Sequence, residues 1–422
     1  MSHLTEQHYP SVTELALSAR TLTAERPDLC ALRRIGTSRA GRPLHLLSVG
    51  RAEQRVLVVA GAHSNEPVGG PTALHLAHRA VHDEQLRSGV SWHFLLCADP
   101  DGASLHRASA PRTLFDYHRQ FFRPAGPEQP EWAPSVLPAD EWPPETRALL
   151  GVIDELQPYL QVSLHGTDLG GSWVQLTQDI PGLAEPFAKS AAQLHIPIET
   201  STSDAAGWPI SGPGVHVMPD PGTDALFPSL PEDVTRSTWH HVHRYGGRTA
   251  IVEVPMWASD LVDDPARHPA PREALQQVSR RLRAEALRVE AVLQETGLRE
   301  AKEQSLPADC APLLRAARWA LGLVPGLAED WLRPPPDDAT MTYVSSIDAF
   351  GRRLPLRAAA MLLRVLDATQ DPLAARLERM VAEWCASFED HFRARWVPVE
   401  HQVEHQSRTV VAAARHARVV TH

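Results

Sequence analysis

Through the first 260 residues, short β-rich runs alternate with helix-length amphipathic segments, and this alternation constrains the fold more than any other feature. Residues 43–49, 55–60, 91–97, 160–164 and 249–254 are rich in Val, Ile, Leu and aromatics and are bounded by Gly, Pro or Asp, as strands are. Between them, the spacing predicts helices over 11–25, 70–86, 144–157 and 183–194. Strands interleaved with helices imply an α/β fold built on a mainly parallel or mixed sheet.

Beyond that region the pattern changes. Residues 271–296 read as one long helix ended by Gly297. After Leu306-Pro307, segments 309–323, 354–368 and 371–395 read as amphipathic helices interrupted by the Pro-rich stretch 333–338, with no strand signal. The expected organisation is a catalytic domain over 1–300 and a helical C-terminal extension over 306–422 whose role is not readable. The stretches 107–142 and 196–240 carry no periodicity, and long irregular segments inside a compact domain are often lids or binding loops.

Charge and composition exclude some classes. A net charge of −10 without a basic stripe argues against nucleic-acid binding. No run reaches the roughly 18 apolar residues of a membrane span, and the N-terminus lacks the pattern of a secretory leader. Cys30, Cys97, Cys310 and Cys385 are too scattered for a disulfide framework or a thiolate zinc site, so a reducing, cytoplasmic setting is expected.

The chemistry-bearing residues sit where the strands end. In open α/β sheets, ligands bind beyond the carboxyl ends of the strands. Strand 55–60 leads into Gly61-Ala62-His63-Ser64-Asn65-Glu66, strand 160–164 into His165-Gly166-Thr167-Asp168, and strand 249–254 carries Glu253. His63, Glu66 and His165 form a His₂Glu donor set with one position left for water, the arrangement of a catalytic zinc site. Glu253, a carboxylate in an apolar strand, is the candidate general base.

Five ordered segments resemble the M14 family of zinc metallocarboxypeptidases, from Tyr9 to Trp257, about 60% of the chain. They are Tyr9-Pro10-Ser11-Val12 with Ile35 to Pro43, Gly61 to Pro67, Pro143 to Leu149, Ser163-Leu164-His165, and Ile251 to Pro255. The resemblance implies a central mixed sheet of about eight strands flanked by helices, one zinc ion per chain, and hydrolysis of a C-terminal amide bond in a peptide or peptide-like substrate. It implies that Glu253 is the catalytic base. It further implies an oxyanion-stabilising arginine, Arg107 with Arg112 as the alternative. Asp116-Tyr117-His118-Arg119 matches the segment in which Asp116 would orient zinc ligand His63 and Arg119 would clamp the substrate carboxylate, with His118 standing where the family has asparagine. Asp99 also replaces a common asparagine. The family's mobile tyrosine has no clear counterpart, Tyr245 lying too near the Glu253 strand. The pocket for the departing residue is expected from 196–245, which holds Asp204, Trp208 and Trp239.

Two alternatives accompany this reading. One is a zinc amidase or deacylase of the same superfamily, acting on a cell-wall peptide or an acylated amino acid. The other is a catalytically silent binding module. His240, His241 and His243 read as loop residues rather than a second metal cluster, and Phe121, Phe122, Trp132 and Trp142 as either substrate-stacking or core aromatics.

Overall fold

The computed structural model describes residues 8–219, 233–300 and 303–418, so part of the expected 196–245 pocket segment and the outermost residues of both expected regions lie outside the described residues. Its centre is a ten-stranded mixed sheet made of β1 (Cys30–Thr37), β2 (Pro43–Val49), β3 (Gln54–Val59), β4 (Val90–Leu95), β5 (Leu160–Gly170), β6 (Trp173–Leu176), β7 (Ile210–Gly212), β8 (Val215–Val217), β9 (Arg248–Ala258) and β10 (Arg395–Trp396). The strand order is β1-β2-β4-β3-β5-β9-β6-β8-β7, and β10 pairs with the end of β9. The middle of the sheet, β4-β3-β5-β9, is parallel; β1-β2-β4 complete one side antiparallel, and on the other β9-β6 and β8-β7 are antiparallel while β6-β8 is parallel. The parallel strands are buried along nearly their whole length, which is why they read as continuous apolar runs rather than alternating ones.

Helices cover both faces. Helix Val12–Glu25 starts at a capping box between Ser11 and Glu14, and helix Gly69–His82 packs against it and against the sheet. A second layer is formed by the helices Pro271–Glu295, Cys310–Asp330, Met341–Ala368 and Ala374–Phe392, whose apolar faces share one core with Met256 and Trp257 of β9 and with Tyr117 and Phe121. Helix Val399–Ala417 returns to the opposite face and packs on β9, β5 and the helices Gly69–His82 and Ala184–Gln193. Its Gln406 amide donates to the carbonyls of His165 (2.8 Å) and Val252 (3.1 Å), tying the C-terminal helix to β5 and β9. Among the described residues, no helix is long and apolar enough to cross a membrane.

Three expectations need correction. Strands β5 and β9 each run several residues past the expected ends, so His165 and Glu253 lie within strands rather than at their tips. The helix expected at 354–368 begins at Met341 and runs through Pro355. Burial of Thr342, Tyr343, Val344 and Ile347 against neighbouring helices outweighs the weak propensity of that β-branched, Gly-containing stretch. Finally, the C-terminal region holds a strand, β10, and a further helix, Val399–Ala417, both absent from the sequence pattern because their partners lie far away in the chain.

Candidate metal centre

The centre is assembled by register. In the parallel β5–β9 pair, His165 lies directly opposite Glu253, and the next pairs, Gly166 with Val254 and Leu164 with Val252, hold that alignment. Side chains on directly opposed residues of one face are near neighbours, and His165 Nδ1 lies 3.9 Å from Glu253 Oε1. His63 and Glu66 arrive from the turn after β3. That turn requires Gly61, whose φ is +62° and where a Cβ would sit 2.9 Å from Cys97 Sγ, closer than real Cβ contacts allow.

His63, Glu66 and His165 converge at the core of the molecule, all three buried. His63 Nδ1 lies 3.0 Å from both Glu66 carboxylate oxygens, His165 Nδ1 lies 2.9 Å from Glu66 Oε2, and the two Nδ1 atoms are 3.0 Å apart. Their donor atoms all fall within 4.8 Å of one another, and among the described residues no other group of His, Cys, Asp or Glu does so as a candidate for holding a metal ion. Two imidazoles and one carboxylate, buried and converging, fit a divalent zinc ion with one coordination position left for water.

The surrounding residues set the ring orientation and charge. Glu131 is fully buried; its Oε2 faces His165 Nε2 at 3.0 Å, and its Oε1 accepts from Ser163 Oγ at 2.7 Å. A carboxylate on Nε2 holds the proton on that nitrogen, so that a metal ion displacing the Nδ1 proton would meet a lone pair aimed toward His63 and Glu66, the usual device for orienting a ligand histidine. Burial opposes charge on His165, but the hydrogen bonds to Glu131 and Glu66 outweigh it and raise its pKa well above the ordinary value. His63 goes the other way: burial and then the Arg123 guanidinium push it down to about 4, so its ring is neutral at pH 7. Burial opposes ionisation of Glu66, yet His63 and His165 hold its pKa well below the carboxylate range. Glu253 is raised well above that range, first by burial and then by the nearby Glu66 charge.

Arg123 completes the rim. Its Nη1 donates to Glu66 Oε1 at 3.0 Å and its Nη2 lies 3.1 Å from His63 Nε2. The triad opens into a cavity of about 540 Å³ that Arg123, Glu253, Trp132, Trp173, Trp208 and Trp239 help to line.

The other residues singled out from sequence lie elsewhere. The Asp116 carboxylate accepts from the backbone of Arg112 and Thr113 and closes a capping box at the start of helix Leu114–Arg119; it makes no contact with His63. His118 is fully buried, bonded through Nδ1 to the Leu114 carbonyl, with Nε2 3.8 Å from Asp168. Arg119 pairs with Asp367 and Glu378, and Arg107 pairs with Asp309 at 3.3 Å. None of Arg107, Arg112, Asp116, His118 and Arg119 lines the cavity. Asp204, Trp208 and Trp239 from the 196–245 segment do line it. His241 bonds Asp154 and His243 bonds Thr177, so the His240–His243 cluster is divided among separate partners. The aromatic patch divides too: Trp132 faces the cavity, while Phe122 and Trp142 belong to the core.

Sequence reading missed Glu131 and Arg123. Both lie in the irregular 107–142 stretch, and the available signal was a lone carboxylate between Pro130 and Trp132 and an Arg-Pro pair after Phe122.

Comparison with known proteins follows the same lines. Residues 17–170, about a third of the chain, match the family described as Zinc carboxypeptidase (Peptidase_M14). No curated protein matches. Among solved structures, a provisionally assigned metallopeptidase from Shewanella amazonensis SB2B is similar at 18% identity over 58% of this chain and 84% of that one, with a TM-score of 0.41. The metallo-carboxypeptidase from Burkholderia cenocepacia is similar at 17% identity over 58% and 60% of the two chains, TM-score 0.39. Carboxypeptidase A from Helicoverpa armigera is similar at 16% identity over 60% and 66%, TM-score 0.40. The chain thus spans less than two thirds of the Burkholderia and Helicoverpa proteins.

Proposed function

We propose that this protein is a zinc-dependent hydrolase of the metallocarboxypeptidase type, cleaving an amide bond next to the carboxylate end of a peptide or peptide-like substrate. The observation that carries this reading is the β5–β9 register, which sets the Glu253 carboxylate beside a buried His63–Glu66–His165 donor set already backed by Glu131. The match to the zinc carboxypeptidase family over 17–170 contains His63, Glu66, Glu131 and His165 and agrees with it.

Zinc held by His63, Glu66 and His165 supplies Lewis acidity that polarises a carbonyl and makes water acidic near neutral pH. The chain's own residues do the rest. Glu253 faces the triad from the neighbouring strand and takes the proton of the attacking water, then returns it to the departing amine. Its Oε1 stands 3.9 Å from His165 Nδ1, close enough to the triad to serve both halves of that exchange. Arg123, rather than Arg107 or Arg112, stands at the triad and presents its guanidinium where negative charge develops on the carbonyl oxygen. The tryptophans that line the cavity give it apolar walls around the triad.

The amidase or deacylase reading within the same superfamily draws support from one observation: Arg119, the family's clamp by resemblance, is engaged by Asp367 and Glu378 away from the cavity. A panel of N-blocked dipeptides and acylated amino acids, each with free and amidated termini, tests both readings on the zinc-loaded protein. Hydrolysis that needs the free carboxylate and stops on chelation supports the carboxypeptidase. Indifference to the terminus supports the amidase, and hydrolysis that persists after verified zinc loss overturns both. A binding module would give no turnover on any member.

A further inference from the structure

The cavity beside the triad has two walls of different origin. One comes from the sheet and the 121–132 stretch. The other comes from helices Cys310–Asp330 and Met341–Ala368, which contribute Trp319, Leu323, Phe350, Arg353, Arg357 and Met361. A volume of about 540 Å³ lies within the range of small-molecule sites, roughly 300–1,000 Å³. The helical region that looked like an appendage in sequence forms one wall of the pocket.

The second wall carries an unbalanced charge. Arg353 and Arg357 both face one carboxylate, Asp168, which is fully buried on β5. Arg353 is consumed: its Nε donates to Asp168 Oδ1 at 2.5 Å, and its Nη2 donates to Thr167 Oγ1 at 3.0 Å and to the Leu169 carbonyl at 2.8 Å. Arg357 is not. It reaches Asp168 Oδ2 through Nη2 alone, at 3.2 Å, while its buried Nε has no hydrogen-bond partner. Its guanidinium stacks 5.1 Å over the Phe121 ring, which fixes its plane without filling its donors. His118, the other group near Asp168, is pushed down to about 4, chiefly by burial, and is neutral. Of the acids nearby, Asp204 lines the cavity and acts on Arg353, and Glu199 is bound to Ser346 and the Gly171 amide, with burial raising it to about 7. Two permanent cations therefore share one directly bonded carboxylate, and a guanidinium with an unfilled buried donor is costly unless an anion joins it.

We propose that Arg357 anchors the carboxylate of the substrate, with Arg353 and Asp168 as positioning residues. The helical wall would then restrict the substrate to a small carboxylate-terminated amide, an N-acyl amino acid or dipeptide whose apolar group lies against Trp319, Phe350 and Met361. This rests on the hydrolase reading above and assigns to the helical region the carboxylate recognition that the resemblance placed at Arg119. Planar two-pronged recognition of a carboxylate is a guanidinium property, so lysine is a partial substitute at best.

The test reads binding rather than turnover. N-benzoylglycine and its amide are titrated calorimetrically into the zinc-loaded protein and into Arg357→Gln, Arg357→Lys and Arg119→Gln, with zinc content and thermal stability measured on each. The acid should bind the unaltered protein more tightly than the amide. Arg357→Gln should weaken acid binding by about 10- to 100-fold and leave amide binding unchanged, as expected for loss of a charged hydrogen-bonding partner. Arg357→Lys should fall between, and Arg119→Gln should change neither. Equal binding of acid and amide by the unaltered protein, or loss of acid binding in Arg119→Gln and not in Arg357→Gln, overturns the assignment. Failure of the hydrolase reading would appear separately, as absent zinc or absent turnover with acid-selective binding intact.

Discussion

Replacing Asp99 with asparagine should stabilise this protein at alkaline pH and leave it nearly unchanged in acid. Asp99 is only 6% exposed and caps the short helix Pro100–Leu105 by accepting the Gly102 amide at 2.8 Å, while its second oxygen has no partner. Burial raises its pKa from 3.8 to about 7, the Gly102 hydrogen bond opposing and the charges of Glu145 and Asp101 adding to it. The sign follows from proton counting. Between about pH 4 and pH 7 the folded chain keeps a proton that the unfolded chain has released, so stability falls as pH rises through that window and levels off above it. Three pKa units at about 1.4 kcal/mol each set a ceiling of about 4 kcal/mol on that loss. Asparagine keeps an oxygen for the Gly102 amide and carries no charge. The Asp99→Asn variant should therefore gain about 2–4 kcal/mol at pH 8 and close to nothing at pH 4. Urea denaturation of both proteins at a series of pH values measures this directly. A stability difference independent of pH, or a variant less stable at pH 8, would refute the reasoning.

Two further changes probe the frame of the site. Glu131→Gln removes the carboxylate on His165 Nε2 and should weaken zinc binding by about 10- to 100-fold in a chelator competition while the fold persists. Asp168→Asn leaves Arg353 and Arg357 facing each other without a counter-charge and should cost about 3–5 kcal/mol in chemical denaturation at pH 7. Burial opposes ionisation of Asp168, but the two guanidinium groups hold its pKa far below the usual carboxylate value; the stability it provides is present above about pH 4 and is lost as pH falls below that.

The parts of this protein legible in its sequence are those determined locally. Strands β3, β4 and β5 announce themselves because a parallel strand covered on both faces must be apolar throughout. His63 and Glu66 are legible because two residues three apart on one turn can reach a common point, and Glu253 because a carboxylate in an apolar strand needs a reason. What escaped is what depends on chain return. Glu131 meets His165 from an irregular stretch 34 residues upstream, and nothing in its neighbourhood encodes that meeting. Arg353 and Arg357 reach Asp168 across 185 and 189 residues, on a helix expected only from 354 whose earlier turns are held by tertiary burial. The Asp116-Tyr117-His118-Arg119 segment shows the converse. Its spacing resembles a clamp, but its side chains are absorbed by a capping box, a buried backbone contact and an ion pair with the C-terminal helices.

The most direct test of the central claim combines zinc stoichiometry and turnover on the same samples of the unaltered protein and Glu253→Gln. The account predicts one zinc per chain in both proteins, with hydrolysis of the active substrate reduced by about 10²- to 10⁴-fold in the variant, the loss expected for removing a general base. Absence of zinc from both proteins, or full turnover in Glu253→Gln, would contradict it.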